Sequence, residues 1–343
     1  MDYKFINCIF LFFAWTLTLQ SQEKPAFSNL DVFELEWVQS PQISPDGTTI
    51  VYVRRGMDIM TDRRQSRLWL INTDGTGHQK LTAMDVSEGN ATWSPDGSRI
   101  AFTASTDQGS EVFMYWVKTG KVGRISQLPA SPRGLSWSPD GQQLAFSMFV
   151  EGKELSLVRP PQKPKGAKWA NPPRITSRLK HERDGSGYMR PGFSQLFVMS
   201  AEGGSPRQIT SGDFQHRSKP VWSKDGEHLY FSANRSDDWE YDFRNSELYA
   251  VSIANGEIIP LTTRQGPDYS PAISPNGKQI AYLGFTDKMQ TYQNTYLYVM
   301  EVDGRNNKRI NVKLDQSISN PTWATDGKGL YFMYDEHGNT KIG

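Results

Sequence analysis

The chain has 343 residues, 37% of them hydrophobic and 12% aromatic, which is enough apolar material for a sizeable core and excludes a disordered or collagen-like chain. Its 38 basic and 37 acidic residues leave a formal charge of +1, so nothing electrostatic points to nucleic acid or an anionic membrane as a partner.

At the N-terminus, Lys4 precedes an apolar run at residues 5–19 (FINCIFLFFAWTLTL), and polar residues 20–25 follow. The run is short for a bilayer span, which needs about 20 residues. Ser21 offers a small residue for cleavage. Residues 1–22 therefore read as a secretory signal peptide, with an uncleaved anchor as the alternative, and the expected location is secreted or periplasmic. The single cysteine, Cys8, lies inside this segment, so the mature chain would hold no thiol for a disulfide, a nucleophile or a metal.

From residue 42 onward one unit recurs six times: 42–53 (QISPDGTTIVYV), 92–104 (TWSPDGSRIAFTA), 136–148 (SWSPDGQQLAFSM), 221–233 (VWSKDGEHLYFSA), 272–284 (AISPNGKQIAYLG) and 322–334 (TWATDGKGLYFMY). The spacings are 50, 44, 85, 51 and 50 residues, and a period of about 40–50 suits one four-stranded propeller blade. Within the tetrapeptide, proline presets φ at the first central turn position, Asp or Asn tolerates the second, and glycine takes a positive φ. Apolar residues on either side, such as Trp93, Ile100 and Phe102, are expected on the inward faces of two adjacent strands.

The remainder of each period supplies two more strands: 68–71 (LWLI) and Lys80-Leu81-Thr82 in the first unit, 196–199 (LFVM) and Gln208-Ile209-Thr210 in the third, 248–251 (LYAV) and Pro260-Leu261-Thr262 in the fourth. Sustained helical periodicity is absent. The predicted fold is therefore an all-β propeller of four-stranded blades, with TolB/WD40-like repeats, over residues 23–343. The sixth unit shows its first two strands before Gly343, so the expectation is an incomplete ring of about five and a half blades out of seven.

Most polar residues have an ordinary structural reading. His78, His181, His216, His228 and His337 are scattered, without metal-ligand spacing, and read as surface or turn residues; neither a metal nor a cofactor is expected. Asp46, Asp96, Asp140, Asp225 and Asp326 recur at one turn position on separate blades, which favours turn geometry over paired-carboxylate catalysis. The aromatic residues of the repeats favour core packing over stacking on nucleic acid or carbohydrate.

Two features narrow the reading. The opening stretch, residues 33–47 (FELEWVQSPQISPDG), enters the first blade directly, and the 85-residue spacing contains an insertion in blade three, residues 151–193. That insertion has a Pro-rich basic part, 159–174 (RPPQKPKGAKWANPPR), followed by 175–187 (ITSRLKHERDGSG) and Tyr188. Together they resemble the N-terminal propeller of the prolyl oligopeptidase family of serine peptidases, in the branch of acylaminoacyl-peptidases and exported dipeptidyl-peptidases, across roughly residues 33–335.

The resemblance implies a C-terminal α/β-hydrolase domain with a Ser–Asp–His triad as the partner of this propeller, and short peptides as substrates. The propeller would act as lid and size filter. No G-x-S-x-G nucleophile elbow occurs in the 343 residues, so no catalytic residue is assigned and these residues alone are expected to be inactive.

The candidate substrate-binding residues lie on two loops. In the insertion, Arg183, Asp184 and Tyr188 would contact a carboxylate, an amine and a side chain of the substrate; the alternative is a glycine-rich hairpin packed on its own blade. In residues 234–244 (NRSDDWEYDFR), Asp238, Trp239 and Glu240 form either an amine-binding or domain-contact surface or a solvated loop. The competing function is that of a TolB-like periplasmic propeller, a non-enzymatic module for protein–protein interaction. Such proteins place a separate domain ahead of the propeller, for which there is no room here, and the blade-three insertion also favours the peptidase reading.

Overall fold

A computed structural model describes residues 26–343, except 154, 156, 159–160, 171–173 and 311–312. The proposed leader, with Cys8, lies outside the described residues. A 3-10 turn at Asn29–Phe33 is the helical element among the described residues, and six antiparallel blade sheets and one two-stranded hairpin follow.

Blade one consists of Trp37–Ile43, Thr49–Asp58, Arg63–Asn72 and Gln79–Lys80, and blade two of Glu88–Trp93, Arg99–Thr106, Gly109–Trp116 and Lys121–Arg124. Blade three is made of Arg133–Trp137, Gln143–Glu151, Gly192–Ser200 and Arg207–Gln208, and blade four of Val221–Trp222, His228–Ala233, Glu247–Ser252 and Ile258–Pro260. Blade five is built from Asp268–Ile273, Gln279–Gly284, Tyr296–Glu301 and Lys308–Arg309. Blade six has Ile318–Trp323, Leu330–Glu336 and also a third strand, Asn339–Ile342, which the repeat pattern did not reveal because it lacks the apolar run of its counterparts.

The first strands of successive blades touch one another, which makes them the innermost ring of a propeller. Five apolar clusters lie between consecutive blades rather than within them. Ile100 and Phe102 of blade two, for example, pack with Val51, Leu68 and Leu70 of blade one, while Ala101 of the same strand faces blade three. The strand alternation of two thus buries both faces of each sheet.

The tetrapeptide turns do more than reverse the chain. Gly47 N–H donates to Ser44 O at 2.8 Å, closing a turn with Pro45 and Asp46 at its centre and φ of +75° at Gly47. The serine hydroxyl donates to the aspartate carboxylate, as in Ser94–Asp96 at 2.6 Å, and accepts from the strand that follows, as from Arg99 N–H at 2.9 Å. These bonds hold the carboxylates of Asp46, Asp96, Asp140 and Asp225 below their usual range, Asp96 at about 2. Successive turns also abut. A Cβ added at Gly97 would lie 3.5 Å from Pro45 Cδ, one at Gly141 3.6 Å from Pro95 Cδ, and one at Gly327 3.8 Å from Pro275 Cδ.

The tryptophan before the turn spans the joint between blades. Its indole N–H donates to a backbone carbonyl of the preceding first strand: Trp93 to Gln42 (3.2 Å), Trp137 to Thr92 (3.1 Å) and Trp222 to Ser136 (3.0 Å). Trp323 reaches Ala272 O at 2.9 Å, skipping no blade, and Ile273 takes the tryptophan's place in blade five.

Candidate functional site

All second-to-third-strand loops open on the end of the propeller opposite the Pro-Asp-Gly turns. Blades three and four carry long ones side by side, and these are the two loops the sequence singles out. Glu151 pairs with Gly192, and Gly152 N–H donates to Pro191 O at 3.0 Å, so the insertion leaves and rejoins blade three on a single rung. Its far part is a small hairpin, Glu182–Arg183 with Gly187–Tyr188, closed by Met189 N–H to His181 O at 2.8 Å.

On this hairpin Arg183 and Asp184 are exposed, and Tyr188 lies half exposed beneath the Arg174 guanidinium, 3.7 Å from ring centre to Cζ. Arg174 was not among the sequence candidates. In the neighbouring loop, Asp238 starts a turn through its carbonyl (Tyr241 N–H at 2.8 Å) and keeps its carboxylate exposed. Trp239 packs edge-on against Phe193 with centroids 6.0 Å apart, and Arg178 covers Phe193 at 4.1 Å. Glu240 is half-buried, and its Oε1 is buried without a hydrogen-bond partner. The two loops therefore meet through Phe193 and Arg178, while no hydrogen bond or ion pair among the described residues joins Arg183, Asp184 or Tyr188 to Asp238, Trp239 or Glu240. On its far side the blade-four loop is fastened to blade five by Arg244–Asp287 (3.1 Å) and by Gln265 to Asp242 (2.6 Å).

Beneath the loops lies a polar network. His216 is fully buried, which corrects its reading as a surface or turn histidine. Its Nδ1 lies 2.7 Å from Gln195 Oε1 and its Nε2 2.7 Å from Arg235 Nη1. Burial, helped by the Arg235 charge, pushes its pKa down to about 3. Neutral His216 consequently donates from Nδ1 to Gln195 and accepts from Arg235, which pins a guanidinium already lying 4.7 Å over Phe214. An isolated histidine in a polar stretch gave no signal of this.

Bulges shape the inner strands. Register shifts occur in the first strands of blades one, two, five and six, where Ser40, Asn90, Ser270 and Asn320 take φ of +50° to +54°. Blade three uses Gly134 (φ +66°), where a Cβ would come within 2.9 Å of Lys219 Cα in blade four. The residues just ahead of these bulges include Glu88 and Asp268, both buried. Asp268 pairs with Arg264 and sits near Glu247, whose carboxylate accepts from Thr262. Burial, reinforced by Asp268, pushes Glu247 up to about 7; burial, opposed by Arg264, pushes Asp268 up to about 6. Among the described residues, one group of three possible metal ligands occurs, Asp225, Glu227 and His228, on the turn face, where Asp225 is engaged by Ser223 at 2.5 Å.

A β-propeller of six blades with an insertion in blade three is the class of structure these observations define. Residues 165–285, which include the hairpin and the blade-four loop, match the family described as the dipeptidyl peptidase IV (DPP IV) N-terminal region. Dipeptidyl-peptidase 5 of Porphyromonas gingivalis is 24% identical over 323 residues, 90% of this chain and 46% of that protein. Among solved structures, the Pyrococcus horikoshii acylaminoacyl peptidase superposes with a TM-score of 0.67 at 16% identity, covering 91% of this chain and 45% of that one. A putative TolB from Agrobacterium tumefaciens gives 0.54 at 17% identity, covering 88% and 91%. The chain is thus similar to the N-terminal region of dipeptidyl peptidases, the likeness its motifs implied, and it spans less than half the length of the curated relatives it matches.

Proposed function

We propose that this propeller is the substrate-gating portion of an exported serine exopeptidase acting on short peptides, and that an α/β-hydrolase domain elsewhere in the whole protein supplies the Ser–Asp–His triad. One observation carries the reading: the blade-three insertion and the blade-four loop converge on the same end of the ring, through Trp239, Phe193 and Arg178, within the segment that matches the dipeptidyl peptidase region. A catalytic domain docked on that end would enclose a chamber whose wall includes the exposed carboxylate of Asp238 and the unpartnered Oε1 of Glu240. A peptide ammonium is the cation that fits there, since a buried carboxylate oxygen without a partner costs free energy that a charge-assisted bond recovers. Enclosure would exclude folded chains and water from the scissile bond.

The test is steady-state hydrolysis of di- and tripeptide substrates by the whole protein. Replacing Asp184, or Asp238 with Glu240, by alanine is expected to raise KM about tenfold for peptides with a free amine, with kcat less affected, and to change little for N-blocked peptides. Equal kinetics of variant and parent on both substrate types would reject the assignment. The likeness to TolB supports a second reading, a non-enzymatic docking module, and a whole protein without any peptidase activity would favour it.

A further inference from the structure

The insertion is far more basic than the chain that carries it. Residues 151–193 hold ten Lys and Arg against four Asp and Glu, a net of +6 in a protein whose total is +1. The structure gathers part of this charge around one cavity of about 680 Å³. Lys153, Arg174, Arg178, Lys180, His181 and Arg190 line it together with Ile175, Tyr188 and Met189, and among the described residues no carboxylate does. Among the described residues, none of Lys153, Arg174, Arg178, Lys180 and Arg190 forms an ion pair.

Three of the guanidinium groups lie over aromatic rings: Arg174 on Tyr188 at 3.7 Å, Arg178 on Phe193 at 4.1 Å and Arg190 on Phe149 at 5.3 Å. An arginine resting on a ring is held in orientation by its face, while its N–H edge stays free for the planar, bidentate bond that a carboxylate accepts. The basic surface continues beyond the cavity. Arg183 of the hairpin lies near Arg217 and Arg133, and burial together with these like charges holds the Arg217 pKa below its ordinary value. Such an accumulation of cations is costly unless an anion joins it.

We propose that the blade-three pocket is a carboxylate-binding subsite, formed by Arg174, Arg178 and Arg190 with Lys153 and Lys180, that selects acidic peptides. The apolar lining from Ile175, Tyr188 and Met189 suits a peptide carboxylate flanked by apolar side chains better than a bare inorganic anion. This deepens the peptidase reading and rests on it. The carboxylate is either that of an acidic side chain or the free C-terminus, and both present the same chemistry to the guanidinium edges.

The experiment is isothermal titration calorimetry of the full chain at low salt with Ala-Glu-Phe-Glu, its C-terminal amide, and the neutral amide Ala-Gln-Phe-Gln. The acidic peptide is expected to bind at least about tenfold more tightly than the neutral one, and the preference should shrink with added salt. Arg174→Gln and Arg190→Gln are expected each to weaken the acidic peptide about tenfold and to leave the neutral one unchanged. Both side chains are exposed, so melting curves should match the parent. If amidation alone removes the preference, the C-terminal carboxylate is the ligand; if the amide keeps it, the side chains are. Equal affinity for acidic and neutral peptides, or unchanged binding of the acidic peptide by the arginine variants, overturns the proposal. So does tighter binding of inorganic tripolyphosphate than of any peptide. In each of those cases cleavage of neutral peptides by the whole protein would leave the peptidase reading standing, whereas absence of both binding and cleavage would remove the two together.

Discussion

Removing one indole N–H measures how much the blade joints depend on the tryptophan that precedes each turn. Trp222 is 4% exposed, packs among Ala145, Leu196, Val198, Leu229 and Phe231, and donates to Ser136 O at 3.0 Å across the joint between blades three and four. Trp222→Phe deletes the donor and leaves that carbonyl without its cross-joint partner. The bond and the desolvated acceptor together amount to about 1–2 kcal/mol. The smaller ring also gives up roughly 40 Å² of buried apolar surface, about 1 kcal/mol at 25 cal/mol per Å². A loss of about 2–3 kcal/mol is expected, which lowers Tm by about 3–4 °C for a chain of this size. Trp222→Ala empties the whole site and should cost about 5 kcal/mol, because the cavity adds to the lost bond. The measurement is urea and thermal unfolding of the full chain followed by circular dichroism, with the m-value checked for constancy. Trp222→Phe within about 0.5 kcal/mol of the parent, or equal to Trp222→Ala, would refute the claim that the indole N–H couples the blades rather than merely filling space.

Two other perturbations probe different physics. Glu247, pushed up to about 7, and Asp268, pushed up to about 6, hold protons more tightly in the folded chain than when unfolded, so their stabilisation is complete below about pH 4 and is lost as pH rises through 7. Asp96 and Asp140 of the turns act in the opposite sense, since their lowered pKa values contribute above about pH 4 and fade towards pH 2. Glu247→Gln should therefore reduce the fall in Tm between pH 5 and pH 8 while leaving the acid limb unchanged; blade three already places Gln195 in the same position, where Thr210 donates to it at 2.8 Å. An unaltered fall in Tm would show that the buried acids are not its source. Gly134→Ala places a Cβ 2.9 Å from Lys219 Cα at φ of +66° and should cost about 2–3 kcal/mol, whereas Gly97→Ala, whose Cβ meets Pro45 Cδ at 3.5 Å, should cost about 1 kcal/mol. Equal losses in parallel unfolding curves would contradict the close backbone approach between blades three and four.

The repeats were legible because each letter of the tetrapeptide answers a local demand: proline for φ, serine and aspartate for the hydrogen bonds that close the turn, glycine for the positive φ, tryptophan for the apolar face. Local chemistry survives in one dimension. The bulges escaped notice because serine at 40 and 270 has no special claim on a left-handed φ, so the kink is imposed by the ring and only tolerated by the residue. The same distinction separates the site residues. Arg183, Asp184, Tyr188, Asp238, Trp239 and Glu240 drew attention through loop length and composition, which identify a loop but not its neighbours. Arg174, Arg178, Arg190, His216 and Arg235 acquire their character from rings and amides far along the chain, such as Arg235 on the His216 imidazole. Only the folded arrangement brings these together.

Blade three can carry such an appendage because of how the insertion is attached. Its ends, Glu151 and Gly192, are cross-strand partners, and the ladder continues unbroken from that rung to Gln143 and Ser200. The propeller therefore meets the same geometry whether two residues or forty fill the gap, and the closure entropy grows only as the logarithm of the loop length, about 0.6 kcal/mol per doubling. At Gly192 the backbone takes φ of +134°, and a Cβ there would meet Val150 O, so the exit point needs a glycine. Stability is thus held in the joints between blades, and the loops at the opposite end of the ring from the turns are free to vary in charge and length. The blade-three insertion shows that freedom, with ten Lys and Arg against four Asp and Glu over residues 151–193 of a chain whose total charge is +1.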